Sequence, residues 1–272
     1  MEKKILICGV NWLGDSVMSM PALLALKKSS PDSQITMLVK PRVAELWKMC
    51  PAVDKVINIS PGLMGTFRTA RKLKGLGYSQ AFVFPNSFRS ALIPWLAAIP
   101  ERTGTAGHQR RRLLTETIGS DVEKDDRHQA MEYFDILGIP YPEGEADVPH
   151  LKVPQDAMDR VKSYMPMEGK NLAAIIPGAA FGPSKRWPAE HFIAVGRRIS
   201  EFCKVLVLGS ENENQLCAGV AEGIGDGAIN LAGKTSLSDL VAILGVCRLV
   251  ICNDSGGMHL AAAAGSKIVA IF

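Results

Sequence analysis

The chain has 272 residues, 47% of them apolar and 21% charged, with a formal net charge of +4. That length can bury the cores of two domains. The mild positive balance is too weak to point to nucleic acid, but it admits an anionic ligand or an anionic membrane surface. The N-terminal "MEKKILICGV" reads as neither a signal peptide nor a span, and no stretch of 18 apolar residues follows. Six cysteines show no CxxC spacing and fall mostly inside apolar runs. They read as buried reduced thiols of a cytoplasmic protein, not as a disulfide or zinc framework. Five scattered histidines give no metal-ligand cluster.

In chain order, strands are predicted at 4–10, 34–40, 55–60 and 80–86, with a weaker one at 101–107. Helical patterns fall between them at 16–29, 42–50, 64–75 and 87–98. The alternation predicts a parallel sheet with helices on both faces. Residues 139–170 hold Pro140, Pro142, Pro149, Pro154 and Pro166, with one candidate helix at 155–165, and read as a linker region. The rhythm then restarts, with strands at 172–177, 204–209, 228–232, 248–253 and 267–272. Helices fit at 188–203, 211–224, 236–247 and 256–265, the first carrying Phe192, Val195, Ile199 and Phe202 at helical spacing. The expectation is α/β: two doubly wound halves, with ligands beyond the carboxyl ends of the strands and a crevice between the halves. The chain stops at Phe272, after an apolar strand with no helix behind it. It is therefore expected to be part of a longer chain.

Three loops could carry chemistry. "GVNWLGDS" (9–16) imitates a phosphate-binding loop, but Asp15 stands where that motif has Lys. An acid there repels a triphosphate, which excludes nucleotide hydrolysis. Asp15 is then either a proton acceptor for a substrate hydroxyl or only the N-cap of the following helix. In "PGAAFGPSKRWPAEHF" (177–192), Lys185 and Arg186 precede a helix N-terminus, where cations are unfavourable unless an anion sits among them. The alternative is a solvated turn. Trp187 is expected to pack. In "NDSGGMHLAAAAG" (253–265), two glycines open a helix at about 1 kcal/mol each against Ala. Their amides, with the Ser255 hydroxyl, form a ready anion site. Asp254 is expected to cap the helix or to bind a sugar hydroxyl, and His259 to reach a phosphate or to pack. The basic tract "HQRRR" (108–112), with Arg110 and Arg111, is either a solvated loop or a contact for acidic groups of a substrate or membrane. Asn86, Ser87 and Arg89 in "PNSFRSALIP" are expected to face the crevice.

Together the segments "NWLGDSVMSMPAL", "PNSFRSALIP", "IPERTG", "PGAAFGPSKRWP", "NLAG" and "NDSGGMHLAAA" resemble the ADP-heptose:lipopolysaccharide heptosyltransferases, from Asn11 to Ala263. The resemblance implies a GT-B fold, two Rossmann-like domains facing a cleft. The acceptor-binding domain would be 1–150, the linker region 151–170 and the ADP-sugar-binding domain 171–272, incomplete at its end. It implies inverting transfer of heptose from ADP-heptose to the first heptose of the inner core on Kdo-lipid A, without cofactor or metal. Asp15 would be the general base and Lys185 the diphosphate ligand. Gly178, Asp254, Ser255, Gly256, Gly257, Met258 and His259 would line the donor. Asn11, Trp12, Asn86, Ser87, Arg89, Arg110 and Arg111 would line the acceptor. The protein would be cytoplasmic, in transient contact with the inner leaflet. Ala180 stands where related sequences often carry a polar or acidic side chain, so one contact is expected to be absent. Other readings are a family member with a different acceptor, a sugar-nucleotide epimerase of the same fold, and a non-catalytic lipopolysaccharide- or nucleotide-binding chain.

Overall fold

The computed structural model describes residues 3–107, 109–119, 128–144, 148–165, 171–179 and 183–272. His108, Ala180 and the last part of the expected linker, 166–170, lie outside the described residues. The chain divides into two compact units, Met1–Pro149 and His150–Phe272.

In the first unit, β1 (Lys4–Cys8), β2 (Gln34–Val39), β3 (Lys55–Asn58), β4 (Gln80–Val83), β5 (Glu101–Thr105) and β6 (Glu116–Ile118) form one sheet in the order β3-β2-β1-β4-β5-β6. Every neighbouring pair is parallel. The crossovers are α1 (Leu13–Ser29), α2 (Pro41–Lys48), α3 (Gly62–Leu73) and α4 (Phe88–Leu96), followed by α5 (Ala130–Leu137). Parallel pairing buries both sheet faces, which is why these strands read as unbroken apolar runs. Leu6, Cys8, Leu38, Ala81 and Val83 share one core with Ala70 and Leu73 of α3 and Ala91 and Ile93 of α4. Ile5 and Ile7 alternate onto the opposite face and are also buried. β6 and α5 go beyond the elements expected from sequence. β6 is a three-residue edge strand, "ETI", too short for any period. α5 follows a stretch with no apolar rhythm and is fixed by packing on α1.

The second unit opens with α6 (Gln155–Tyr164) and then has β7 (Asn171–Ile176), β8 (Cys203–Val207), β9 (Ala228–Asn230), β10 (Leu249–Asn253) and β11 (Ile268–Ile271). These form a parallel sheet in the order β11-β10-β7-β8-β9. α7 (Ala189–Ser200), α8 (Asn214–Ile224), α9 (Leu237–Val246) and α10 (Gly256–Ala263) are its crossovers. α6 packs on α9, and its Arg160 pairs with the nearly buried Asp239 at 2.9 Å. The expected linker therefore belongs, over 151–165, to the second unit. One further expectation is corrected. α7 ends at Ser200, so Phe202 lies outside its stripe and is 76% exposed, while Phe192 is buried in the core with Val205, Val207 and Val220.

Candidate functional site

Both sheets reverse their strand order beside the first strand of the unit, between β1 and β4 in one and between β7 and β10 in the other. Loops diverge at such switch points and leave a crevice at the carboxyl ends.

In the first unit that crevice is a pocket of about 100 Å³ lined by Gly9, Asn11, Lys40, Ser87, Arg89 and Ser90 among others. It adjoins a second, of about 470 Å³, through Lys40, Ile59 and Arg89, where Arg42 and Gly62 also contribute. Lys40 is the N-cap of α2, Arg42 lies in that helix's first turn and Arg89 in the first turn of α4. Three cations at helix N-termini oppose the helix dipoles. An anionic group of a ligand would relieve that conflict. Arg89 is itself anchored: its Nε donates to Thr66 Oγ1 at 2.7 Å and its guanidinium to Gly62 O at 2.8 Å and Ser60 O at 3.1 Å. Ser87 caps α4, accepting from the Ser90 N–H at 3.2 Å. Arg42 sits 5.1 Å over the half-exposed ring of Trp12, a cation–π contact.

Trp12, not Asp15, is the N-cap of α1. Asp15 is the third helical residue and half-buried, so the capping alternative falls. α5 packs against α1 and brings Tyr133 near it. Burial first, then the negative charges of Asp15 and Glu132, hold the Tyr133 phenol well above its ordinary range, so it stays protonated. Arg110 is fully buried. Its guanidinium donates to Thr105 O at 2.7 Å, to Thr105 Oγ1, to Asn86 Oδ1 at 3.2 Å and to Pro85 O. Arg110 therefore ties the ends of β4 and β5 together. Burial lowers its proton affinity, which the nearby Glu132 partly restores. Asn86 Oδ1 accepts from both Arg110 and Thr105 Oγ1, so this exposed residue is held in place from below. Arg111 is exposed, in a 3-10 turn over Arg111–Leu113.

In the second unit the Lys185 Nζ contacts Asp254 Oδ2 at 2.7 Å. Asp254 thus neither caps α10 nor stands free; it steers the lysine. Ser255 is the N-cap of α10, yet its hydroxyl makes no capping bond, and the Oγ is buried without a partner. Just behind it, the first-turn N–H groups at Gly256 and Gly257 have no intrahelical acceptor. A Cβ at Gly257 would lie 2.9 Å from Ile176 Cδ1, so a larger residue there would push that methyl aside. Met258 and His259 follow, both half-buried. Gly178 is pressed against the Glu213 carboxylate, whose Oε1 would lie 1.9 Å from an added Cβ. Arg186 turns inward to Ala179 O at 3.0 Å, and Trp187 stacks on His191 at 5.0 Å and meets Phe192 edge-on at 5.2 Å. The fully buried Asn253 accepts from the Trp187 N–H at 3.0 Å and donates to Pro177 O at 2.8 Å, locking the lysine loop to β7 and β10. Among the described residues no group of three His, Cys, Asp or Glu could hold a metal ion.

The glycosyltransferase family 9 (heptosyltransferase) pattern matches residues 66–272. The chain belongs to this family. Among its curated relatives, lipooligosaccharide heptosyltransferase 2 of Haemophilus ducreyi is 34% identical over 96% of this chain and 80% of its own length. Lipopolysaccharide heptosyltransferase 2 of Escherichia coli is 31% identical over 99% of this chain and 82% of its own. The solved structure of E. coli ADP-heptose lps heptosyltransferase II superposes with a TM-score of 0.88 at 28% identity, covering 99% of this chain and 84% of that one. The expected GT-B architecture is thus that of the family 9 enzymes.

Of the residues expected at a site, Asn11, Ser87 and Arg89 meet at the first pocket, and Lys185, Asp254, Ser255 and Gly256 meet at the second switch point. Lys40 and Arg42 join them unexpectedly. Their signal is present in the sequence, because "VKPRV" sets two cations at a strand end beside a Pro that starts a helix, the same conflict that marks Lys185. Asn253 and Tyr133 carry no such signal.

Proposed function

We propose that this chain transfers L-glycero-D-manno-heptose from ADP-heptose to the first heptose of the lipopolysaccharide inner core on Kdo-lipid A, with inversion. The observation that carries the reading is the anion-ready switch point of the second unit. An ammonium held by Asp254, a buried hydroxyl with no partner and an uncapped helix start converge there, in a chain of family 9.

The second unit holds the donor in this reading. Lys185 and the amides at Ser255, Gly256 and Gly257 take the diphosphate, with Gly178 giving it room beside Glu213. Met258 and His259 complete that side. The first unit holds the acceptor, with Asn11, Trp12, Asn86, Ser87, Arg89 and Arg111 beside it and Lys40 and Arg42 meeting its acidic groups. The acceptor hydroxyl oxygen attacks the anomeric carbon while Asp15 takes its proton. The bond from that carbon to the β-phosphate oxygen breaks on the opposite side, and ADP leaves with the electron pair. One displacement inverts the centre. The growing charge on ADP meets donors already in place, the largest contribution available to such a site. The work is done in the cytoplasm at the inner leaflet.

The test is incubation of the chain with ADP-heptose and a deacylated heptosyl-Kdo acceptor. The expected result is an acceptor heavier by one heptose and ADP release that requires it. ADP release without acceptor, an epimerised nucleotide sugar or binding without turnover would overturn the reading.

A further inference from the structure

Helix α3, Gly62–Leu73, is built inside out. Its buried positions are Gly65, Thr66, Thr69, Ala70 and Leu73, small or polar except the last. Its large apolar residues point outward: Leu63 is 70% exposed, Met64 74% and Phe67 47%. The same outer face continues into exposed Arg68, Arg71 and Lys72, and the helix carries no acidic residue. Polar pins fix this rotation. Thr69 Oγ1 donates to Gly65 O at 2.7 Å and accepts from the Ser60 N–H at 3.1 Å, while Thr66 Oγ1 accepts from Arg89. A Cβ at Gly65 would lie 2.3 Å from Ser60 O, so no larger residue could take the inner side. The helix cannot turn to hide its apolar residues. Phe88, the residue before Arg89 and the first of the adjoining α4, is 45% exposed as well.

We propose that the outer face of α3 is the surface by which this chain docks on an anionic phospholipid bilayer. Apolar side chains beside a run of cations, with no carboxylate, match a helix lying in the headgroup plane better than a protein groove. A protein partner would need countercharges ordered along Arg68, Arg71 and Lys72, whereas a bilayer supplies mobile ones. The helix starts at Gly62, which also lines the pocket holding Lys40, Arg42 and Arg89. An acceptor anchored in the same bilayer would then present its saccharide to that pocket, an orientation that rests on the function proposed above.

The test is co-sedimentation of the chain with phosphatidylcholine vesicles, with and without phosphatidylglycerol. Binding is expected only with phosphatidylglycerol and to weaken as salt is raised. A Leu63→Ser/Met64→Ser/Phe67→Ser variant and an Arg68→Ala/Arg71→Ala/Lys72→Ala variant are each expected to bind about tenfold less or weaker still. Both should melt as the parent does and keep full transfer to a deacylated, water-soluble acceptor. Variants that bind like the parent, equal binding to neutral vesicles, or a parent dimer that the apolar variant abolishes would overturn the proposal. A parent that binds vesicles but transfers nothing to the soluble acceptor would instead overturn the function and leave the docking face standing.

Discussion

Lys185 and Ser255 each break a rule that a merely structural residue would keep. The Lys185–Asp254 pair is half-exposed, and such pairs add less than about 1 kcal/mol to stability. Lys185→Ala should therefore leave the melting temperature of the unliganded chain unchanged while weakening ADP binding about tenfold or more, read by titration calorimetry. Ser255 is a sharper case, because a buried hydroxyl without a partner costs about 1–3 kcal/mol of fold stability. Ser255→Ala should leave the empty chain as stable as the parent or more so, yet bind ADP less tightly. Loss of stability with unchanged ADP affinity, in either variant, would make these residues structural. Asp15, Lys185 and Ser255 are legible in the sequence for separate reasons: Asp15 stands where a phosphate-binding loop has Lys, Lys185 is a cation ahead of a helix N-terminus, and Ser255 precedes two glycines that open a helix. Arg110 is illegible: "RRR" looks solvated, and only the tertiary fold shows that one of the three is buried under Pro85 and Thr105.

At the scale of elements, the loop from β7 to α7 owes its position to one side chain. Asn253 satisfies the Trp187 N–H and the Pro177 carbonyl. Asn253→Leu keeps much of the volume but leaves the buried Pro177 carbonyl and the part-buried Trp187 N–H without this partner. It should cost about 2 kcal/mol or more in urea unfolding and also weaken ADP binding, since Lys185 rides on that loop. An unchanged midpoint would mean that the loop is held elsewhere. The strand–helix rhythm is readable wherever a parallel strand is buried on both faces, as in "KILIC" and "LVICN". It fails at β6, which exists only because its register with β5 supplies the partner, Thr103 opposite Glu116. α6 is readable as a helix, but the prolines around it suggest a linker. Its attachment to α9 through Arg160 and Asp239 is invisible in sequence.

At the scale of the whole molecule, the cysteines report how tightly the two cores close. Burial pushes the thiols of Cys8, Cys217 and Cys247 up to about 12 and those of Cys50 and Cys252 to about 11, from an ordinary value of 9.0. The folded chain keeps these protons where the unfolded chain loses them. Their contribution to stability is thus complete below about pH 9 and is lost as pH rises toward the folded values, by about 1.4 kcal/mol per thiol per pH unit. Urea midpoints should fall steeply between pH 9 and 11, and at pH 8 a thiol reagent should react quickly with the half-buried Cys203 alone. Rapid labelling of several thiols in the folded chain would contradict cores packed this closely.

The division of labour between a base on the first unit and a diphosphate grip on the second is the centre of the account, and one variant separates them. The measurement is single-turnover heptose transfer by Asp15→Ala, alongside its affinity for ADP. The expected result is a transfer rate lower by about 10²–10⁴-fold with ADP bound as tightly as by the parent. Transfer at the parent's rate would remove Asp15 from the chemistry and contradict the account.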